Sequence, residues 1–428
     1  MSTSTPRRTR FSRPRAVLTA SVAILLAGLI AACSNTTTSS NNQSAPSGKA
    51  ENQVTADTVD QAQLATAIRS TFLTDVDKSK LDPVVGNSLA VASQPLTPQQ
   101  NDLLRTCLQQ ASCDTGHGNL TVALARDNAN PWSSIFRAEF TAQAIAYPQV
   151  RKIVYTNANG NVAAAIANLR SLIAQRVDVI VTDALFGSAI LPTVKQAEQA
   201  GIVFVNVNTP LPPDVASEVN SQALLDLCQV YTDGMNLVTG AVPGQSTYAL
   251  YTGIPGNANA AAWQPCAEKV LTGAGWTKAT EGFTQWTPQG DAQAANALLA
   301  SGKNPGAIVY DAGVSEFLKP YIAAKTAPPA VFTDVVFYSD LTQFQRAQEA
   351  GVAPKCWTAN SHAWYGRMGV TAGLMIKDGQ NVPKTVTPPV PIVTCDSVVS
   401  LNKPNTPANA PVGGLLTPDQ MTLALSVS

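Results

Sequence analysis

Histidine is nearly missing from this chain, with two residues in 428, and charge is sparse, Asp, Glu, Lys and Arg together making up 13%. The first shortage removes the commonest general base. No other catalytic signature stands in for it: there is no Gly-x-Ser-x-Gly, no Walker loop, no His-Glu-x-x-His and no glycine fingerprint with an acidic partner. An enzyme is therefore not expected. The charge that is present is balanced, 28 basic residues against 28 acidic ones, so no basic face for nucleic acid and no acidic tail is predicted. His117 follows Cys107 and Cys113 closely, but these three do not complete a zinc set, and neither a metal nor another cofactor is expected. The apolar run from Ala16 to Ala32 is short for a spanning helix of about 20 residues.

That run reads better as an address. Arg7, Arg8, Arg10, Arg13 and Arg15 precede it, and it ends Leu29-Ile30-Ala31-Ala32-Cys33. A basic segment, an apolar segment and a small-residue cleavage site describe a secretory signal over residues 1–33. A cysteine at the cleavage point is the lipobox arrangement, with Cys33 as the lipidated residue. Arg7-Arg8 invites a twin-arginine route, which the residues after the pair fit poorly. An acyl anchor would hold the protein on the extracytoplasmic face of the cell membrane. Residues 34–50, rich in Ser, Asn and Thr, form a flexible tether. Six further cysteines remain, Cys107, Cys113, Cys228, Cys266, Cys356 and Cys395, an even number suited to disulfides outside the cytosol. Closeness favours Cys107 with Cys113.

Residues 51–118 form an N-terminal extension. Val59 to Phe72 has helical spacing, and Thr97-Pro98 opens a second helix to about Gln110, with Thr97 as the cap and Pro98 in the first turn. The two are read as a hairpin packed on the rest of the chain, with a partner-docking surface as the other reading.

From Asn119 onward the pattern changes. Leu120–Ala125, Lys152–Asn157, Val177–Asp183 and Ile202–Asn208 are apolar strands alternating with helical segments. The alternation resumes from Thr247 and runs to Ala350. Continuous apolar strands alternating with helices predict parallel sheets covered on both faces, and two such runs predict two similar α/β lobes. In such sheets ligands bind beyond the carboxyl ends of the strands. The residues from 401 to 428, with Pro and Gly-Gly in weakly patterned sequence, are expected to be loosely ordered.

Three stretches resemble the type I periplasmic binding proteins, in their ribose-binding-like branch: the opening from Leu120 to Trp132, the block Asn168–Val181, and the block Val194–Ile202. The resemblance covers about residues 119–395. It implies two Rossmann-like lobes with parallel sheets, joined by a three-stranded hinge and closing on a ligand. Residues 119–220 with 361–389 would form the first lobe, and 221–360 with 390–400 the second. That layout makes Cys228 with Cys266, and Cys356 with Cys395, plausible pairs.

Carried over position by position, the resemblance implies ligand contacts at strand ends. These are Asn130 and Trp132 with neighbouring Asp127 and Asn128, then Asp183 and Asn208, and in the second lobe Trp286, Asp340 and Asn360, with His362 beside Asn360. Amides and carboxylates can each take two sugar hydroxyls, and indole rings cover C–H faces. Any one Asn or Asp could instead cap a helix or shape a loop. Two departures stand out. Ala occupies positions 260 to 262, where the family has an Arg, and the Asn expected near Ala312 is missing. A roomier, less cationic cleft follows. The function implied is a lipid-anchored, monomeric solute-binding protein that captures a sugar, polyol or glycoside and delivers it to an ABC transporter permease. A ligand sensor presenting the same fold to a membrane histidine kinase is the alternative.

Overall fold

The computed structural model describes residues 54–427 apart from Gln245. The signal segment, the tether and Cys33 lie outside the described residues. No helix among the described residues is long and apolar enough to cross a membrane.

The extension holds three helices, α1 (Gln61–Phe72), α2 (Pro83–Ala92) and α3 (Pro98–Gln109), followed by a short strand, β1 (Ser112–Asp114). This corrects the expected two-helix hairpin. Asp82 caps α2 and Pro83 occupies its first turn, but Val84, Val85, Gly86, Ser88, Leu89, Ala90 and Val91 are all buried. A helix covered nearly all round has no amphipathic period to read. The predicted cap of α3 is a capping box between Thr97 and Gln100.

In the first lobe come β2 (Leu120–Arg126), α4 (Pro131–Ala146), β3 (Val150–Asn157), α5 (Val162–Ala174), β4 (Val179–Asp183), α6 (Leu191–Gln199), β5 (Val203–Asn208), α7 (Pro213–Ala216) and β6 (Ser221–Leu224). Their sheet runs β1-β3-β2-β4-β5-β6-β12, where β12 is Thr385–Val386. All neighbours are parallel except β1, which pairs antiparallel to β3 with Cys113 opposite Ile153. Because β6 belongs to this sheet, the first crossover follows Leu224 and does not precede Ser221.

The second lobe is built from α8 (Leu227–Ala241), β7 (Thr247–Thr252), α9 (Ala258–Gly273), β8 (Thr277–Phe283), α10 (Pro288–Ala300), β9 (Ala307–Tyr310), α11 (Ser315–Ala324), β10 (Ala330–Thr333), α12 (Tyr338–Glu349) and β11 (Cys356–Thr358). The chain then returns to the first lobe through α13 (Tyr365–Lys377) and β12, and comes back with β13 (Val393–Thr394) and α14 (Cys395–Val398). This sheet runs β13-β11-β10-β9-β7-β8. Its central strands β9 and β10 are buried throughout, as strands covered on both faces must be. Disulfides join Cys107 to Cys113, Cys228 on α8 to Cys266 on α9, and Cys356 on β11 to Cys395 on α14.

The tail departs most from expectation. Instead of lying loose, it straps the second lobe to the first. Pro411 bridges to Phe337, Val412 donates to the Val336 carbonyl at 2.8 Å, and its own carbonyl accepts from Ser361 N at 3.3 Å. Leu415 N then donates to Glu139 Oε1 on α4 at 2.6 Å. The same Glu139 is ion-paired with Arg367 of α13, and both are buried. The chain ends in α15 (Pro418–Ser426), which packs on α4. Its start, Thr417-Pro418-Asp419-Gln420, is capped as α3 is, with Thr417 and Gln420 forming the box.

Candidate functional site

The carboxyl ends of β2, β4 and β5 in the first lobe and of β8, β9 and β10 in the second open on one cavity of about 380 Å³. This is the crevice where open α/β sheets place ligands.

The first-lobe wall is organised by Arg126, the last residue of β2, which is 2% exposed. One guanidinium nitrogen pairs with Asp183. The other donates to Asn128 Oδ1 at 2.8 Å and to Ser133 Oγ at 3.0 Å. Its carbon lies 5.3 Å from the Trp132 ring and 4.7 Å from that of Phe136, within cation–π range. Asp183 also accepts from the Thr209 hydroxyl and from Asn208 Nδ2. Asn130 caps α4, its Oδ1 taking Ser133 N at 2.7 Å. Trp132 donates its indole N–H to the Ser361 carbonyl at 2.7 Å.

The second-lobe wall is acidic and aromatic. Asp311, just past β9, accepts from Thr252 Oγ1 at 2.6 Å, Trp263 Nε1 at 3.0 Å and Trp286 Nε1 at 2.8 Å. Burial, and then the nearby Asp334, push its pKa up from 3.8 to about 7. Asp334, just past β10, accepts from Tyr231 OH at 2.9 Å. Burial raises that phenol well above its usual range. Asp291 accepts from Tyr310 OH at 2.6 Å, and burial raises its pKa to about 7. Trp286 sits at φ 51° after Gln285 at φ 58°, two left-handed residues in succession. Its ring lies against Gly253, where any side-chain carbon would overlap the indole.

Of the ten residues that the resemblance put forward, seven line this cavity: Asn128, Asn130, Trp132, Asp183, Asn208, Trp286 and His362. Asp127, Asp340 and Asn360 do not. Asp127 turns to Leu185 N at 2.8 Å, and burial lifts its pKa to about 6. Asp340 is fully buried and accepts from the backbone N–H groups of Val314, Ser315 and Phe337 at 2.9, 2.7 and 2.7 Å. It ties the start of α12 to the loop before α11. Asn360 shapes the crossover by accepting from His362 N at 2.9 Å.

Arg126, Trp263, Asp291, Asp311 and Asp334 are among the cavity residues that the resemblance did not put forward. β10 stops at Thr333, so the carboxylate at the strand's end is Asp334, six residues before the Asp340 that the resemblance put forward. Arg126 carries a local signal, as the one cation at the end of a mostly apolar strand. Nothing local marks Trp263, which reaches the site from inside α9.

A two-lobed α/β protein with its cavity at the facing strand ends is built to enclose a small molecule. The chain belongs to the periplasmic binding protein domain family, whose profile matches residues 122–379. Solved structures share the fold. An ABC transporter solute-binding protein from Bacillus halodurans C-125 with bound myo-inositol aligns with a TM-score of 0.58 at 15% identity, over 67% of this chain and 98% of that one. The periplasmic component of the arabinose ABC transporter from Shewanella sp. ANA-3, bound to L-arabinofuranose, gives 0.58 at 16%, over 66% and 93%. A Mycobacterium smegmatis protein in complex with β-D-fucofuranose gives 0.57 at 16%, over 67% and 95%. Among curated protein sequences, none matches this chain.

Proposed function

We propose that this protein captures a sugar or polyol between its lobes outside the cytoplasm and delivers it to an ABC importer. The observation that carries the reading is the pairing of walls across one cavity, Trp132 with Arg126 from the first lobe and Trp286 with Asp311 from the second. Indole rings cover the C–H faces of a polyol, while carboxylates and amides meet its hydroxyls. The sugars and inositol held by proteins of the same fold support that ligand class. Asn130, Asn208 and His362 are the remaining polar contacts in this reading. Asp183 and Asn128 act through Arg126, which they hold in place.

Lipidation at Cys33 after signal cleavage would keep the body at the outer face of the membrane, near the permease it serves. The three disulfides fit an oxidising compartment. No reacting group is assigned; the protein binds and releases. The test is a thermal-shift screen of the purified protein against sugars, polyols and glycosides, followed by calorimetry on the hits. A true ligand raises the melting temperature in proportion to ligand excess over Kd. A complete panel without any shift would refute the ligand class.

A further inference from the structure

Charge within the cavity does not cancel. Arg126 is neutralised by Asp183 inside the first-lobe wall. Glu316 and Lys319 at the rim pair with each other, and Arg346 is exposed at the mouth. That leaves Asp291, Asp311 and Asp334 on the second-lobe wall. Among the described residues, no Lys or Arg forms an ion pair with any of the three. His362 is the basic group in contact with this set, its Nε2 lying 3.4 Å from Asp334 Oδ2.

His362 supplies the second observation. It is 5% exposed and lines the cavity, yet neither ring nitrogen has a hydrogen-bond partner. A buried polar group without a partner costs about 1–3 kcal/mol, so its persistence in a cavity wall points to a partner that arrives with the ligand.

Acceptor capacity shows where that partner sits. An ionised carboxylate has about four lone-pair sites. Asp311 already uses three for the Thr252, Trp263 and Trp286 donors, which fix its orientation. Asp334 accepts one hydrogen bond, from Tyr231, and its other oxygen faces only the imidazole. A neutral hydroxyl could fill these sites but brings no positive charge to a wall that has acids and no Lys or Arg paired with them. An ammonium fills them and supplies that positive charge.

We propose that the ligand carries a protonated amine, as an amino sugar does, seated against Asp334 with Asp311 and His362 around it. This rests on the sugar reading above and narrows it. Calorimetry on matched probes tests it: D-glucosamine against D-glucose, D-galactosamine against D-galactose, and the N-acetylated form of each amine, which keeps the ring and removes the charge. In at least one set the free amine should bind about tenfold or more tighter than both its parent and its acetylated form, the gain expected of one charge-assisted contact. Asp334→Asn should abolish that preference while changing affinity for the neutral parent less. Neutral or acetylated sugars that bind as tightly as the amines would overturn the inference and leave the sugar reading standing. If no member of the panel binds, amine or neutral, the inference falls, and the thermal-shift screen above decides the sugar reading separately. The acetylated probes keep the test decisive even where the Asn variant fails to fold.

Discussion

Asp311 shows how one carboxylate can hold a wall together. It ties Trp263 from a helix and Trp286 from a strained loop to the same point. The left-handed backbone at Gln285 and Trp286 persists because the indole is clamped between that bond and Gly253. Trp286→Ala should therefore weaken the cognate ligand by about tenfold or more, measured by calorimetry, as truncation of a buried aromatic contact does. Unchanged affinity would remove Trp286 from the site. Asp340 predicts the opposite split. Asp340→Ala strands the buried Val314 and Ser315 N–H groups and the half-buried Phe337 N–H, so chemical denaturation should show a loss of at least about 1–3 kcal/mol. Affinity of the folded protein should stay near wild type, because Asp340 does not line the cavity.

Among the elements, the C-terminal strap is the one that couples regions distant in sequence. Val412 bonds both Val336 and Ser361, and the Ser361 carbonyl in turn holds the Trp132 indole. Ala408 and Asn409 of the same strap reach the cavity rim. Farther on, Leu415 completes the partner set of the buried Glu139–Arg367 pair, and α15 covers α4. A chain ending at Asn402 should melt at least several degrees lower, since losing the strap uncovers Ala410, Val412, Met421 and Ala424 and strips a donor from a buried carboxylate. It should also bind ligand more weakly, since Ser361, whose carbonyl holds the Trp132 indole, loses its bond to Val412. A truncated protein with wild-type melting would show the strap to be passive.

At the scale of the whole molecule, buried acids set the pH response. Asp291 and Asp311 titrate at about 7 and Asp127 at about 6, each raised from 3.8 chiefly by burial. Between the unfolded and folded values the native state binds more protons than the unfolded chain, so stability falls as pH rises through that window. The ligand-free protein should be more stable near about pH 5 than near about pH 7.5, in denaturation curves taken at constant ionic strength. A protonated amine beside Asp311 would favour its ionised form, so adding such a ligand should flatten the part of the dependence that Asp311 contributes. A ligand-free protein that grows more stable across the same range would contradict these assignments.

The sequence by itself determined the class of the molecule. Runs such as residues 179–181 and 203–205 are continuously apolar, which points to a sheet covered on both faces, and their spacing leaves room for one helix between strands. Caps such as Asn130-Pro131 and Thr97-Pro98 mark helix starts because they answer local backbone needs. The same Thr-Pro-x-Gln signature at Thr417 was equally legible, and the weak patterning around it hid the strap. Only the tertiary structure decided which polar residues face the ligand. Asp334 and Asp340 are both acids near the end of β10, and only the strand's true end, Thr333, separates the cavity wall from a helix cap. The partner that neutralises Arg126, and the lack of a hydrogen bond to either His362 ring nitrogen, are long-range facts: Asp183 lies 57 residues from Arg126 in the chain, so no local pattern records the pair.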